Sequence, residues 1–313
     1  MLRFATRSAS APANAIRSIA RRMSTVKSLL AKLLAVAVVA SLIPFAAFAQ
    51  DGDVPTELVL GMVPSREADA IVDSLEPLAA LLSERLLIPV DTFISTNYVG
   101  LVEAMGNGRV DIGFFGPSAM VQAIDRYGAV PITASVRFGS PTYKSQFNVR
   151  CDGPIQSFED LDGATISFVD PGSASGYQFP YVFLKNQYGI DANTDMESIF
   201  AGSHDASVLA IYNGDVDVAV SFNDARTAIE EEFPDVMEQV CVLGYSGDIP
   251  NDGQVVRAGL DTELTQQIAD ALIAIAETEE GQALTQELFN VTSFAPITSD
   301  AYDPVREVMQ EFE

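Results

Sequence analysis

The chain has 313 residues, which is enough for one large domain or two moderate ones. All 43 acidic residues follow residue 49, against 11 of the 18 basic residues, so residues 50–313 carry a net charge of −32. This balance excludes nucleic acid as a partner, because binding to a phosphate backbone needs clustered Lys and Arg.

The first 49 residues differ from the remainder, since they contain five Arg, two Lys and no acid. An apolar run over residues 33–49 ends in Ala-Phe-Ala at 47–49, a small-x-small pattern typical of a cleavage site before Gln50. We therefore predict a secretory signal peptide over residues 1–49, with Met23 as a more ordinary start. A membrane anchor is the alternative, although the run is short for a span. No Cys follows the cleavage site, which favours a free periplasmic protein over a lipoprotein.

The next part of the chain alternates predicted strands with predicted helices. The predicted strands are Leu58–Val63, Val90–Ser95, Val110–Phe115, Val130–Val136 and Tyr143–Cys151. The predicted helices are Asp69–Arg85, Tyr98–Met105 and Ser118–Tyr127. This βαβ organisation implies an α/β fold with a mostly parallel sheet and helices on both of its faces.

After residue 151 the alternation starts again. The predicted strands are Thr165–Val169, Ser198–Ala201, Val216–Phe222, Val240–Ser246 and Gln254–Ala258. The predicted helices are Gly176–Tyr188, His204–Tyr212, Ala225–Glu238, Asp261–Phe289 and Asp303–Phe312. A turn-rich segment, Gly247–Gly253, separates two of the strands and is predicted to cross between lobes.

An internal repeat indicates two lobes of similar build. Residues 107–113 (Asn-Gly-Arg-Val-Asp-Ile-Gly) resemble residues 213–219 (Asn-Gly-Asp-Val-Asp-Val-Ala), and each segment ends a predicted helix and opens an apolar strand. A chance repeat of a common helix–turn–strand sequence is the alternative. With two lobes, we predict residues 55–145 and 247–313 in lobe 1 and residues 146–246 in lobe 2.

Two cysteines, Cys151 and Cys241, are present, and an exported chain is expected to oxidise them to a disulfide. Two free buried thiols are the alternative. We predict that the chain crosses between the lobes near Tyr143–Val149 and Val242–Asn251. Each cysteine then lies on one of the two crossing strands, where antiparallel neighbours could bring the two within bonding reach.

The segment from Asp170 to Pro180 reads Asp-Pro-Gly-Ser-Ala-Ser-Gly-Tyr-Gln-Phe-Pro and joins a predicted strand to a predicted helix. A helix start leaves its first backbone N–H groups without partners and carries the positive end of the helix dipole. With the hydroxyls of Ser173 and Ser175, the segment predicts an anion site. The alternative is that either serine serves only as a helix N-cap.

Other polar residues stand at strand ends or helix starts, where a ligand between two lobes would meet them. They are Tyr98, Tyr143, His204, Asp224 and Asp252. His204 is the only histidine and begins a predicted helix, which would make it a donor to an oxyanion or, alternatively, a structural residue.

Asp224 and Asp252 do not suit an anion site unless they accept hydrogen bonds. They would take a proton from a P–OH group or contact an amine on the ligand, and they would repel sulfate, which carries no proton at neutral pH. A helix cap for Asp224 and a turn residue for Asp252 are the alternatives. The two acids favour an aminoalkylphosphonate as the ligand, but they also suit phosphite or monoprotonated phosphate.

The sequence contains no pattern typical of catalysis. One His and two distant Cys give no metal-ligand spacing, and no G-x-S-x-G or P-loop motif is present. We therefore expect neither an enzyme nor a cofactor.

Four segments resemble the PhnD-like family, the periplasmic substrate-binding proteins of phosphonate, phosphite and phosphate ABC importers. They are Tyr143–Ser145, Phe168–Pro180, Gly202–Asp205 and Ile249–Asp252. The segments occur in family order, and the resemblance covers about residues 57–300. It implies a two-lobed periplasmic binding protein of type II, each lobe a mixed, mostly parallel sheet flanked by helices, that closes on its ligand.

The resemblance also implies which residues bind the ligand. The oxyanion-binding serine segment of the family matches Ser173-Ala174-Ser175, and its histidine, tyrosines and acidic positions match the candidates above: His204, Tyr98, Tyr143, Asp224 and Asp252. Ala174 departs from the Thr of many relatives, so one hydroxyl donor is lost while the backbone amide remains.

The implied function is a non-enzymatic periplasmic receptor. It would capture a phosphorus oxyanion (phosphonate, phosphite or phosphate) between two lobes and deliver it to a membrane permease, and we expect a monomer. A binding protein for a sulfonate or carboxylate, a sensory partner of a membrane kinase and a secreted phosphoester hydrolase are the alternatives.

Overall fold

The computed structural model describes residues 52–312, and their strands form two mixed sheets. The predicted signal peptide and its cleavage site at Ala49–Gln50 lie outside the described residues. Within these residues no helix has both the length and the apolar composition that crossing a bilayer requires.

The first sheet has six strands and packs against helices from both ends of the described chain. In chain order its strands are β1 (Leu58–Met62), β2 (Val90–Ile94), β3 (Ile112–Phe115), β4 (Val130–Arg137), β10 (Gly253–Val256) and β11 (Val291–Pro296). The accompanying helices are α1 (Ala68–Leu86), α2 (Tyr98–Gly106), α3 (Pro117–Tyr127), α7 (Thr262–Ala276), α8 (Glu279–Phe289) and α9 (Asp303–Met309). The strand order across the sheet is β11-β4-β10-β3-β1-β2.

The second sheet has five strands and is built from the middle of the chain. Its strands are β5 (Thr142–Arg150), β6 (Thr165–Phe168), β7 (Glu197–Phe200), β8 (Val218–Phe222) and β9 (Val240–Pro250), in the order β7-β6-β8-β5-β9. Its helices are α4 (Phe179–Tyr188), α5 (His204–Asn213) and the single turn α6 (Val236–Gln239).

The two sheets share one strand pattern. In the first, β1 lies parallel between β2 and β3, and β10 and β4 follow antiparallel; in the second, β6 lies parallel between β7 and β8, and β5 and β9 follow antiparallel. The repeated sequence segment has the same geometry in both. Asp111 Oδ2 accepts from the Val59 N–H and Asp217 Oδ2 from the Thr165 N–H, each at 2.9 Å. The repeat is therefore structural and not a coincidence of sequence.

Three apolar clusters hold these layers together. One lies between the first sheet and helices α1 and α7, with Leu60, Leu75 and Leu272 fully buried. A second lies beside α4, with Phe168 and Leu184 fully buried. The third contains residues of both sheets and therefore joins the two halves. Burying one such side chain stabilises the fold by about 2–3 kcal/mol.

The disulfide between Cys151 and Cys241 is present, with the two Cα atoms 4.9 Å apart, which confirms the predicted pairing. It ties β5 to β9 at the end of the ladder in which Val149 pairs with Cys241.

Three predicted elements differ from those observed. The predicted helix Asp261–Phe289 is divided into α7 and α8, because Thr278 takes an extended backbone conformation and caps the second helix. The predicted helix Ala225–Glu238 is a 3-10 turn over Ala225–Ala228 and the single turn α6, because Pro234 cannot donate and disfavours a helical residue before it. The predicted crossing Gly247–Gly253 is extended, since β9 runs to Pro250. Strand β11 was not predicted. The predicted lobe limits, 145/146 and 246/247, fall inside the continuous strands β5 and β9 and stay a prediction.

Candidate functional site

A cavity lies between the two sheets and is lined by residues of both. It encloses about 600 Å³ that no atom fills, part of it open to solvent. The polar and charged side chains that line it are Ser65, Tyr98, Ser135, Arg137, Tyr143, Ser173, Ser175, His204, Asp252, Gln254 and Thr285. Apolar walls complete it: Val63, Phe114, Phe115, Pro117, Ala174, Phe222, Val291 and Phe294.

The predicted anion-binding segment forms a tight turn at one wall of this cavity. After β6, the Gly172 N–H donates to Asp170 Oδ1 at 2.7 Å, and Ser173 Oγ accepts from the Gly176 N–H at 3.0 Å. A π-helical turn over Ala174–Gln178 then leads into α4. A Cβ at residue 172 would lie 2.7 Å from the Tyr98 Cβ, so this close approach requires glycine.

The N-cap alternative for Ser173 and its predicted role at the cavity are compatible. As a cap, Ser173 accepts a hydrogen bond with its oxygen. Its own hydroxyl proton stays available, because a serine hydroxyl is both donor and acceptor. Ser173 and Ser175 are each 2% exposed and line the cavity, and Ala174 between them is also buried.

Tyr98, at the start of α2, and Tyr143, on β5, bring two phenol groups to the same cavity from opposite halves of the protein. Asn97 caps α2 by accepting from the Gly100 N–H at 2.7 Å, which places Tyr98 at the first helical position. The Tyr98 hydroxyl lies near Ser173 and that of Tyr143 near Ser175. Burial raises the pKa of both phenols, so both stay protonated and can donate.

His204 lines the cavity as a neutral imidazole. Its Nδ1 accepts from the Phe222 N–H at 3.0 Å, so the ring proton is on Nε2. Burial, reinforced by the nearby charge of Arg137, lowers the pKa of His204 to about 3. Ser203 caps α5 and so fixes His204 at its first turn. The backbone N–H of His204 donates to the Ser65 carbonyl at 3.0 Å, a contact across the cleft.

Arg137 was not predicted as a site residue. It ends β4 and is 6% exposed, and its guanidinium forms an ion pair with the Asp252 carboxylate. The guanidinium lies 5.1 Å from the ring centre of Tyr143 and 5.5 Å from that of Phe222. Burial raises the pKa of Asp252, and Arg137 opposes that rise. A sequence signal was present, because Arg137 is a rare basic residue at a strand end of an acidic chain.

Asp224 is the predicted site residue that the structure does not bring to the cavity. It takes a left-handed backbone conformation, φ 61°, and its side chain is 49% exposed. Its carboxylate pairs with Arg226 at 3.1 Å, and its N–H donates to Gln146 Oε1 at 2.9 Å. Asp224 is absent from the cavity lining because its carboxylate faces Arg226 instead.

Ser65 is a second cavity residue that sequence reasoning missed. It follows β1, and its Oγ is buried without a hydrogen-bond partner among residues 52–312. A buried hydroxyl without a partner is costly, so it indicates a position where a ligand oxygen fits. Its signal was its place after β1, which corresponds to that of Ser173 after β6.

No group of three or more His, Cys, Asp or Glu side chains within the described part of the chain is arranged to hold a metal ion. The polar groups that meet at the cavity are mainly neutral donors. Such a set can bind a small oxyanion by hydrogen bonds.

Comparison with known proteins gives a consistent family. The family model for the periplasmic substrate-binding protein of phosphonate ABC transporters matches residues 60–302. The chain is 32% identical to the phosphate-import protein PhnD of Mycolicibacterium smegmatis, over 81% of this chain and 85% of that one. It is 28% identical to the phosphonates-binding periplasmic protein of Escherichia coli, over 74% and 70%.

Solved structures agree with the fold. A binding protein component of an ABC phosphonate transporter from Pseudomonas aeruginosa superposes with a TM-score of 0.75 and 25% identity, covering 82% of this chain and 86% of that one. PhnD1 from Prochlorococcus marinus, solved in complex with methylphosphonate, superposes with a TM-score of 0.74 and 19% identity, covering 83% and 99%. These matches confirm the predicted two-lobed α/β fold, and the chain belongs to the family of periplasmic substrate-binding proteins of phosphonate ABC transporters.

Proposed function

We propose that this protein captures a phosphorus oxyanion in the cavity between its two sheets and delivers it to the permease of an ABC importer. The observation that carries the proposal is the convergence of neutral donors on one buried cavity: Tyr98, Tyr143, Ser173, Ser175 and His204. A desolvated anion needs several donors aimed at it, and charge-assisted hydrogen bonds are stronger than neutral ones. Relatives named for phosphate import and phosphonate binding support the same ligand class.

Each residue has a role that its geometry allows. Ser173 and Ser175 donate through their hydroxyls, and Ala174 contributes its backbone N–H at the start of the π-helical turn. His204 donates from Nε2, because Nδ1 is already occupied by the Phe222 N–H. The Tyr98 and Tyr143 hydroxyls complete the set from two sides of the cavity.

Asp252 is the acceptor of this site in our proposal. Its carboxylate would take a hydrogen bond from a P–OH group, and it would repel sulfate, which has no proton to give at neutral pH. Burial raises the pKa of this carboxyl group, and the paired guanidinium of Arg137 opposes that rise and so favours the ionised form that accepts.

Contacts at the rim of the cavity support closure around the ligand. Besides the His204 N–H bond to Ser65, the Glu67 N–H donates to Asp205 Oδ2 at 3.2 Å, and Arg66 Nε lies 3.6 Å from the same carboxylate oxygen. These bonds join the segment after β1 to the start of α5. A cleft held shut in this way excludes water and strengthens every electrostatic contact inside.

The test is calorimetric titration of the refolded, ligand-free protein with phosphate, phosphite, methylphosphonate and sulfate. We expect micromolar or tighter binding of at least one phosphorus anion and at least 100-fold weaker binding of sulfate. A phosphatase assay with and without zinc serves as the control and should show no turnover. If none of the phosphorus anions releases heat while a sulfonate or carboxylate does, the proposed ligand class is wrong.

We also propose that the protein is exported, cleaved near Ala49–Gln50 and active in the periplasm as a monomer. The family supports the compartment. Mass spectrometry of the protein from a periplasmic fraction should give a chain that begins at Gln50, and light scattering should give the mass of one copy. An uncleaved chain in the membrane fraction would contradict the proposal.

A further inference from the structure

The carboxylates that the sequence offers to a ligand amine are both paired within the chain. Asp252 forms an ion pair with Arg137 inside the cavity, and Asp224 pairs with Arg226 outside it. An ammonium group on the ligand would need an ionised carboxylate to offset the loss of its hydration. The structure supplies a guanidinium at the position where such a group would have to bind.

The charges of the cavity lead to the same conclusion. Among the described residues that line it, only Arg137 and Asp252 carry full charges, and His204 is neutral. The cavity is therefore electrically balanced before any ligand enters. An oxyanion that enters the cavity meets neutral hydrogen-bond donors. An ammonium group instead meets the Asp252 carboxylate, which already pairs with Arg137, and the positive charge of Arg137 repels it.

The guanidinium is held where it lies. Arg137 and Ser140 exchange two backbone hydrogen bonds, of 3.1 and 2.8 Å, which close the turn after β4. The rings of Tyr143 and Phe222 lie beside the guanidinium. An ammonium that took Asp252 for itself would leave this buried cation without its carboxylate. Breaking a buried ion pair by removing one partner is strongly destabilising, so the exchange is unfavourable.

We propose that Arg137 is a specificity-determining residue that makes the site select phosphorus oxyanions without an amine and discriminate against aminoalkylphosphonates. The inference rests on the proposed function, since it concerns the ligand class of the same cavity. It assigns to Asp252 the role of accepting a hydrogen bond from a P–OH group, with Arg137 as its counter-ion.

The experiment compares ligands of equal size that differ in one charge. Calorimetry gives Kd for two matched pairs, ethylphosphonate with aminomethylphosphonate and propylphosphonate with 2-aminoethylphosphonate, with methylphosphonate as the small reference. For the wild-type protein we expect the aminated member of each measurable pair to bind at least tenfold more weakly. In Arg137→Met the ratio should fall at least tenfold, because Asp252 is then open to the ammonium.

Two control variants show whether the effect of Arg137→Met comes from the lost charge or from a change in shape or folding. Arg137→Lys keeps a cation beside Asp252 and should retain the wild-type preference. Arg226→Met removes the other Arg–Asp pair, which lies outside the cavity, and should leave every ratio unchanged. Thermal unfolding of each variant shows that it is folded, and the wild-type ratios test the inference even if Arg137→Met does not fold.

The other possible results of the titrations overturn either the inference or the proposed function. Equal Kd values for aminated and alkyl ligands in the wild-type protein would overturn the inference while the proposed function stands. So would exclusion of all four larger ligands alongside tight binding of methylphosphonate, since size would then set the preference. Binding of the aminated ligands alone would also overturn the inference while the proposed function stands. Absence of binding by every phosphorus anion, aminated or not, would overturn the proposed function itself.

Discussion

Ser65 and Ser173 occupy corresponding places in the two halves of the protein. Ser65 follows β1 and Ser173 follows β6, and each of these strands is the middle one of the three parallel strands in its sheet. Their environments differ. Ser173 Oγ accepts from the Gly176 N–H at 3.0 Å, within a turn that the chain folds on its own. Ser65 Oγ is buried without a hydrogen-bond partner among residues 52–312, while its carbonyl accepts from His204 in the other half.

Two halves with the same strand pattern therefore need not contribute the same residues to the binding site. Both halves share strand order and even the Asp111 and Asp217 hydrogen bonds. The five-stranded half holds preset donors in one turn. In the six-stranded half, the Ser65 carbonyl accepts from across the cleft, and its hydroxyl has no partner among the described residues. The polar chemistry follows from a few loop residues and not from the sheet beneath them.

The largest expected effect concerns the covalent link of the five-stranded half. Replacing Cys151 and Cys241 together by serine should lower the free energy of unfolding by about 4–5 kcal/mol in the chain-entropy model, because the bridge spans a sequence separation of 90 residues. Urea unfolding followed by circular dichroism measures the loss. Ligand affinity of the folded variant should change little, since the bridge lies at the opposite end of β5 from Tyr143. An unchanged unfolding midpoint would mean that the link does not stabilise this half.

The next effect tests whether the preset turn binds the anion. Replacing Ser173 and Ser175 together by alanine removes two hydrogen bonds to a charged ligand, each worth about 1.5–3 kcal/mol, so Kd for a phosphorus anion should rise at least about 100-fold. Titration calorimetry measures the change.

Ser203→Ala is the matched control for that variant. Ser203 also caps a helix, accepting from the Ala206 N–H at 3.1 Å, but it does not line the cavity. Loss of this cap should cost about 1 kcal/mol of stability and little affinity. Equal losses of affinity in the two variants would show that capping, and not donation to the ligand, explains the effect.

A pH series tests the buried imidazole between the two halves. The pKa of His204 is lowered to about 3, from 6.5 in an unfolded chain, so between these values the unfolded state binds more protons. Its contribution to the free energy of unfolding is therefore present above pH 6.5 and is lost as the pH falls, by up to about 1.4 kcal/mol per pH unit.

The contribution of His204 is isolated as a difference between proteins. Burial raises the pKa of Asp170, Asp205 and Asp252, and these groups act with the opposite sign. Urea unfolding of the wild-type protein and His204→Gln from pH 7 to pH 4.5 gives the difference, which should shrink as the pH falls. A difference that stays constant would contradict a neutral buried His204.

The smallest effect concerns the six-stranded half. Ser65→Ala should weaken binding of a phosphorus anion about tenfold if its hydroxyl meets the ligand, which corresponds to about 1.4 kcal/mol. Stability without ligand should hold or rise, because the change removes a buried hydroxyl that has no partner among the described residues. Unaltered Kd together with lower stability would show that Ser65 is structural.

Much of the fold was predictable because hydrophobic periodicity and turn residues are local signals. The alternation of strands and helices, the repeat at residues 107 and 213 and the turn before α4 were all predicted from short segments. The predicted helix Ala225–Glu238 is wrong, because its apolar spacing is typical of a helix but Pro234 interrupts helical hydrogen bonding. Strand β11 has a register shift between Val291 and Ser293, so its buried residues, Val291 and Phe294, lie three positions apart and do not alternate with a period of two.

The site was less predictable because part of it depends on pairing between distant residues. The turn that contains Ser173 and Ser175 is a single segment, so its sequence indicates its geometry. The pair of Arg137 with Asp252 joins residues 115 positions apart, and no local pattern links them. The position of Asp224 after a strand predicts that it lies in the cavity. In the structure its backbone is left-handed, and its carboxylate pairs with Arg226 outside the cavity.

His204 contacts the cavity with its ring and the opposite half with its backbone N–H. Opening the cleft must break the bond from that N–H to the Ser65 carbonyl, while the ring, held by the Phe222 N–H, moves with the five-stranded half. An anion bound as we propose would then keep its serine donors and lose the donors of the other side. We therefore expect the ligand to be released in two stages. In the first, the cleft opens and the ligand stays weakly bound to the five-stranded half. In the second, it dissociates, so release to a transporter requires no unfolding of the protein.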